Sequence, residues 1–263
     1  MVRWITAFLD TPREAPRSAE AAVFWAQATG TRLSPRRGPY QQFATLLPSD
    51  GDAYLRIEDT NDGDPNCHLD LHVDDVSLAA AEAARVGATL VADLGTLMLA
   101  RSPGGLAFCL VTHRGEHQRP APTGAGERSS LVDQVCIDVP TTLFDAELTW
   151  WSALLGWPRR RGALPEFAYL ERPADLPLRL LFQRLDAPAT GTATAHLDVA
   201  CTNRPAEVAR HLRLGATFHC HEQHWDTLQD PVGRQYCLTD RDPRTGRLPP
   251  ADRSSTASTV SQW

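Results

Sequence analysis

The sequence predicts an α+β chain of two tandem domains. Each is made of two βαβββ units whose strands form a curved, partly open mixed sheet around a cavity, with the helices outside. Three observations predict it. First, the chain repeats itself: His68-Leu69-Asp70-Leu71 returns as His196-Leu197-Asp198-Val199, and Gly87-Ala88-Thr89 as Gly215-Ala216-Thr217, both at an offset of 128 residues. Asp10-Thr11-Pro12 returns as Asp138-Val139-Pro140, and residues 103–110 (PGGLAFCL) as 231–238 (PVGRQYCL), at that same offset. Second, the offset slips to 126 where Phe24-Trp25…Gly30 matches Trp150-Trp151…Gly156, and then recovers. A slip in a loop is what duplication of a whole domain leaves behind, and the period is far longer than the roughly 20–50 residues of a solenoid repeat. Third, each copy alternates helical and strand-like apolar spacing in one order.

That order justifies the elements. In copy one, a strand at 5–9 leads to a helix at 19–29, strands at 42–47 and 53–58, and a strand at 68–73. A helix at 78–86 follows, then strands up to 111. In copy two, 135–139 is the first strand. Residues 144–155 carry helical spacing (Phe144, Leu148, Trp151, Leu154, Leu155) and stop at Gly156. Strands at 167–170 and 178–185 come next, then a strand at 196–200, a helix at 205–214 stopping at Gly215, and strands at 217–220, 225–228 and 235–239. Three short antiparallel strands cannot bury both faces, so one lies under the helix and the other curves around a hollow. The expected domains are 1–114 and 131–243. Residues 115–130, rich in Pro, Gly and Ser, read as a linker, and 244–263 as a polar, disordered tail. The terminal Trp263 has no reading.

Totals bound the function. The chain has 263 residues, enough for two domains with their own cores. All 26 basic residues are arginine, which excludes lysine-based Schiff-base chemistry and fits a GC-rich bacterial genome. The net charge of −6 argues against nucleic-acid binding. The N-terminus reads as a strand rather than a signal peptide, and no apolar run approaches a membrane span. Cys67, Cys109, Cys136, Cys201, Cys220 and Cys237 form no CxxC, and four of them sit in apolar runs, so a reducing cytoplasm is expected.

The residues Trp150, Trp151, Leu155, Gly156 and Trp157, the HLDV at His196, the LGAT at 214–217 and the DPVG before the strand ending at Leu238 together resemble the vicinal oxygen chelate superfamily. That superfamily includes glyoxalase I, bleomycin-resistance proteins, extradiol dioxygenases and many glyoxalase-like domains. The resemblance covers both copies and looks closest to the glyoxalase-like branch. It implies a sheet-lined cavity and, in metal-dependent members, ligands from the first, fourth, fifth and eighth strands: His or Gln, Glu, His and Glu. Here Gln134 falls at the first site and His196 at the fifth-strand site. The fourth strand of copy two holds no carboxylate, and Cys237 stands in place of the last Glu. In copy one Thr6, His68 and Cys109 occupy three sites, with Glu58 at the end of the fourth strand. Gln134, His196 and Cys237 are therefore weak metal candidates, and no cofactor is expected, although a divalent metal remains an alternative.

Other residues could carry chemistry. His219, His221 and His224 cluster with Cys220 and Glu222, but copy one has Val91, Asp93 and Thr96 there. Asp70, Asp133, Asp138 and Asp198 lie at strand positions near the hollow, where a carboxylate can act as a base or pair with arginine. Arg159-Arg160-Arg161 reads as a solvated loop. Phe43, Tyr54, Phe167, Tyr169, Phe182 and Tyr236 lie on cavity strands, and Trp225 precedes the last hairpin of copy two; period-2 alternation sends some of these under the helices. The catalytic residues are not identified. The expected ligand-binding residues are His196, Trp225, Gln134, Phe182, Tyr169 and His68, around a small apolar or aromatic molecule. The competing expectation is a metal-dependent lyase, isomerase or dioxygenase working from copy two. Internal pairing of the two domains predicts a monomer, with a homodimer as the alternative.

Overall fold

The computed structural model describes residues 1–61, 63–124, 128–186 and 191–249. Copy one runs β1 (Val2–Pro12), α1 (Ser18–Ala28), β2 (Arg32–Leu33), β3 (Phe43–Leu47), β4 (Leu55–Thr60), β5 (Asn66–Val73), α2 (Val76–Arg85), β6 (Thr89–Asp93), β7 (Leu97–Arg101) and β8 (Ala107–Thr112). Copy two repeats the order as β9 (Ser130–Pro140), α3 (Phe144–Leu155), β10 (Arg159–Arg161), β11 (Phe167–Leu170), β12 (Arg179–Leu185), β13 (Thr194–Cys201), α4 (Arg204–Arg213), β14 (Thr217–His221), β15 (Trp225–Gln229) and β16 (Gln235–Thr239). Each copy makes one eight-stranded sheet, ordered β2-β3-β4-β1-β5-β8-β7-β6 and β10-β11-β12-β9-β13-β16-β15-β14. The two βαβββ units of a copy meet where β1 pairs antiparallel with β5, and β9 with β13.

Local chemistry starts and stops the helices where the sequence marks them. Asn203 caps α4 by accepting the Ala206 N–H at 3.1 Å, and Asp75 caps α2 from Leu78 at 2.9 Å. Gly156 ends α3 at φ 69°, a left-handed turn that costs glycine nothing. The short edge strands β2 and β10 escaped the sequence reading. Arg159–Arg161 is β10 rather than a loop, its side chains exposed. Strands of two and three residues are too short to show periodicity, so pairing alone reveals them.

The copies pack through their helices. Phe24 and Trp25 of α1 lie against Tyr236 of β16, with ring centroids 5.9 and 5.1 Å apart. Trp150 and Trp151 of α3 lie against Phe108 of β8 at 5.4 and 5.6 Å. Each helix thus bridges to the other copy, and the buried apolar residues of both form one core. A carboxylate ties each seam. In one, Asp230 accepts the Trp25 indole N–H at 2.8 Å and the backbone N–H groups of Val232 and Arg234 at 3.0 Å. In the other, Glu147 accepts the Trp151 indole N–H at 2.8 Å and the Gly104 N–H at 2.6 Å. A Cβ at Gly104 would stand 2.8 Å from the Glu147 carboxylate, so that turn needs glycine. Buried Arg234 completes the first seam, bonding Asp230, the Asp10 and Asn66 carbonyls and Thr11.

Two expectations need correction. Residues 115–130 are not a bare linker: Asp52 accepts the N–H groups of His117 and Gln118 at 2.8 Å, Pro120 is buried, and Ser130 already belongs to β9. Residues 244–249 are not a loose tail. Asp242 accepts the N–H groups of Arg244 and Thr245, and the chain then folds back over copy two. Residues 250–263, with Trp263, lie outside the described residues. No described helix is long and apolar enough to cross a membrane.

Candidate functional site

Period-2 alternation aims the side chains. Along β9, Val135, Ile137 and Val139 are buried in the core, while Gln134 and Cys136 face the hollow. Along β12, Leu180 and Phe182 go to the core while Arg179, Leu181 and Gln183 face the hollow. Phe182 is therefore not a ligand-binding residue; it is fully buried on the opposite face of the strand. Tyr236 and Tyr54 are likewise structural. Tyr236 is hydrogen-bonded to His211, and the Tyr54 hydroxyl donates to the Val132 carbonyl at 2.7 Å.

The remaining predicted residues of copy two converge. Gln134, Tyr169, His196, Trp225 and Cys237 line one cavity of about 270 Å³, with Cys136, Phe167, Leu181, Asp198, His224 and Thr239. Trp225 meets Phe167 edge-on at 5.6 Å and 87°, forming an aromatic wall. Leu248 and Arg247 line the cavity from the C-terminal segment.

Sequence reasoning missed the cations. Arg179 and Arg241 also line the cavity. Arg179 donates from Nε to the Gln134 carbonyl at 2.6 Å and lies over the Tyr169 ring at 4.6 Å. It makes no salt bridge among the described residues, and burial pushes its pKa down to about 10. Arg241 pairs with buried Asp133 and stands 3.6 Å from Asp198. Arg179 shares the spacing of Leu181 and Gln183, so the alternation of β12 was the signal for it. Arg247 follows the last strand, where no periodicity points.

His196 sits at the centre. Its Nδ1–H donates to Asp138 at 2.8 Å; its Nε2 is 3.4 Å from Asp198 Oδ1 and 3.6 Å from Cys237 Sγ. Burial is the largest influence and opposes a charge on this imidazole, but Asp138 and the neighbouring thiols together outweigh it and hold the pKa well above the ordinary value. The cysteine, imidazole and carboxylate stand in the order of a nucleophile, its base and an orienting group. Burial nonetheless pushes the Cys237 thiol up, so it stays protonated. Gln134 spends both ends of its amide, the carbonyl on Arg179 and the NH₂ on Asp198.

Copy one keeps the frame and fills the space. His68 bonds Asp10 at 2.7 Å as His196 bonds Asp138; burial again opposes the charge most, but Asp10, Asp70 and Glu58 together raise the imidazole pKa. Where copy two has Cys136 opposite His196, copy one has Phe8 opposite His68. The Phe8 ring stacks on His68 at 4.6 Å, and Arg56 covers it at 5.6 Å. Glu58 pairs across from Asp10, and burial raises its carboxyl pKa. Asp70 lies 3.7 Å from Arg56. The histidine-rich hairpin divides: exposed His221 bonds Asp226 at 2.5 Å and His219 is exposed, while His224 lines the cavity.

The pattern that defines the glyoxalase-like domain matches residues 7–111 and again residues 134–239. The chain belongs to the glyoxalase-like domain family. Its copies are tandem domains of the vicinal oxygen chelate superfamily. A Mn(II)-bound glyoxalase from Novosphingobium aromaticivorans is 13% identical with a TM-score of 0.61, over 94% of this chain and 86% of that one. A 2,2',3-trihydroxybiphenyl 1,2-dioxygenase from Sphingomonas wittichii strain RW1 is 14% identical with a TM-score of 0.60, over 91% and 90%. The 2,3-dioxygenase LapB from Pseudomonas sp. KL28 is 14% identical with a TM-score of 0.61, over 90% and 92%. At such identities the likeness is one of fold. No curated protein sequence matches the chain.

Proposed function

We propose that copy two binds a small molecule with a flat apolar or aromatic body and an anionic group, in the manner of a bleomycin-resistance-type binder, and that copy one supports it structurally. One observation carries this reading. The cavity walled by Phe167, Tyr169, Leu181 and Trp225 also holds Arg179, a largely buried guanidinium with no carboxylate partner among the described residues. A buried unpaired charge is costly, and a ligand carboxylate relieves that cost. Trp225 and Tyr169 supply flat faces for the body of the ligand.

The residues at the superfamily's metal position do not make a good ligand set. Gln134 is committed at both ends, Cys237 is a thiol rather than a thiolate, and Asp138 keeps His196 charged. Arg241 beside Asp198 opposes a further cation. The described cysteines are all free, which supports a reducing, cytoplasmic setting. The internal helix packing supports a monomer.

The test is a calorimetric titration with aromatic carboxylates and their neutral amides. Carboxylates should bind about 10- to 100-fold more tightly, and Arg179→Ala should erase that preference. Equal binding of the amides would overturn the reading. A second reading, a metal-dependent enzyme in copy two, rests on His196, Asp198 and Cys237 lying within 4.8 Å of one another and on the unpartnered, buried Asp198 Oδ1. Stoichiometric metal in purified protein that disappears in His196→Ala would favour it.

A further inference from the structure

Copy one carries a second polar cluster, four residues along β5 from His68. We infer that His72, His113 and Glu116 form a binding site for a divalent metal, with zinc(II) the ion their geometry suits best. The inference is independent of the ligand proposed for copy two.

The three donors come from β5, from the residue just past β8, and from the segment after it. Glu116 Oε2 lies 3.6 Å from His72 Nδ1 and 3.4 Å from His113 Nδ1. Two ligand atoms on a tetrahedral zinc, each about 2.0–2.2 Å from the ion, are separated by roughly 3.3–3.5 Å. These two spacings are close to tetrahedron edges and long for hydrogen bonds, and all three donor atoms lie within 4.8 Å of one another. Neither imidazole Nδ1 has a hydrogen-bond partner, although both atoms are buried. The His72 side chain is only 2% exposed.

His72 Nε2 shares a 2.9 Å hydrogen bond with Thr6 Oγ1, and in the tautomer where the ring nitrogen donates, the Nδ1 lone pair is free on the Glu116 side. An outer partner of this kind fixes the ring of a metal-bound histidine. Burial favours the neutral ring, and the His72 pKa is pushed down to about 4. A neutral Nδ1 facing a carboxylate oxygen sets lone pair against lone pair, which a cation between them converts into attraction. A cleft of about 450 Å³, lined by His113, Glu116, Asp175 and the Arg3–Asp74 ion pair, leads to the cluster and leaves room for water on the ion. Arg56 and Arg114 act against a cation here, but Asp70 offsets Arg56 at 3.7 Å.

The site lies four residues along each strand from His68 and Cys109. Copy two has Ala200, Arg241 and Arg244 at the matching positions, so the cluster is peculiar to copy one.

The test uses the full chain stripped with chelator and titrated with zinc(II), followed by elemental analysis. One zinc per chain is expected. His113→Ala and Glu116→Gln, both at the accessible rim, should lose it while keeping the wild-type circular dichroism. His196→Ala and Cys237→Ser should retain it. Thr6→Val should weaken binding about 10- to 100-fold as an outer partner. Cobalt(II) should give a tetrahedral spectrum without a thiolate charge-transfer band. No zinc uptake, uptake unchanged in the two rim variants, or zinc lost on changing His196 would each overturn the inference.

Discussion

The two hollows share a frame and differ in one packing choice. Both place an Asp-His pair on the inner face, Asp10–His68 and Asp138–His196, in the same register. Phe8 fills the first hollow, where Cys136 leaves the second open, and Arg56 closes over Phe8. Duplication preserved the paired polar groups because they hold strands together; what changed is the volume beside them. The lesson is that a retained histidine marks the scaffold, and the neighbouring side chain decides whether a site exists.

The comparison can be broken most severely in copy one. Phe8→Ala should cost about 3–5 kcal/mol in chemical denaturation, since it deletes a buried ring. If the hollow stays open, calorimetry should reveal a second, weaker binding event. The reverse change, Cys136→Phe, should abolish aromatic-carboxylate binding and cost about 1–3 kcal/mol through overpacking. Binding that survives Cys136→Phe would place the ligand elsewhere.

The smallest effect sharpens the shared element. His196 has a raised folded pKa, so its contribution to stability is fully present below the unfolded value of about 6.5. It is lost as pH rises through the folded value. Asp138→Asn should therefore destabilise by on the order of 1–2 kcal/mol near pH 6, with the gap closing at alkaline pH. Asp10→Asn should show the same sign, because Asp10 likewise raises the His68 pKa. Urea titrations at several pH values would read both, and a gap widening toward alkaline pH would refute the assignment.

The tandem domains, the order of the units and the hollow-facing placement of five of the six candidate residues were readable because strand alternation and the 128-residue offset are sequence properties. Of those five, Gln134, Tyr169, His196 and Trp225 line one cavity, while His68 sits beneath Phe8. Phe182 failed because it lies one residue from Leu181, and a single step along a strand reverses the face. Arg241, Arg247 and the His72 cluster were hidden for another reason. They lie at or beyond strand ends, or gain meaning only from partners distant in sequence, such as Glu116.

The seams set a rule for building new tandem chains. The carboxylate under each indole comes from the turn beside Trp25 but from the helix beside Trp151. A gene carrying the second half twice would bring Asp230 and Glu147 to the same indole and set Val232 where Gly104 yields. A gene carrying the first half twice would offer Ser102 and Ala21, leaving a buried indole with no carboxylate. The halves are a matched pair, and neither is a stock part from which the other could be rebuilt.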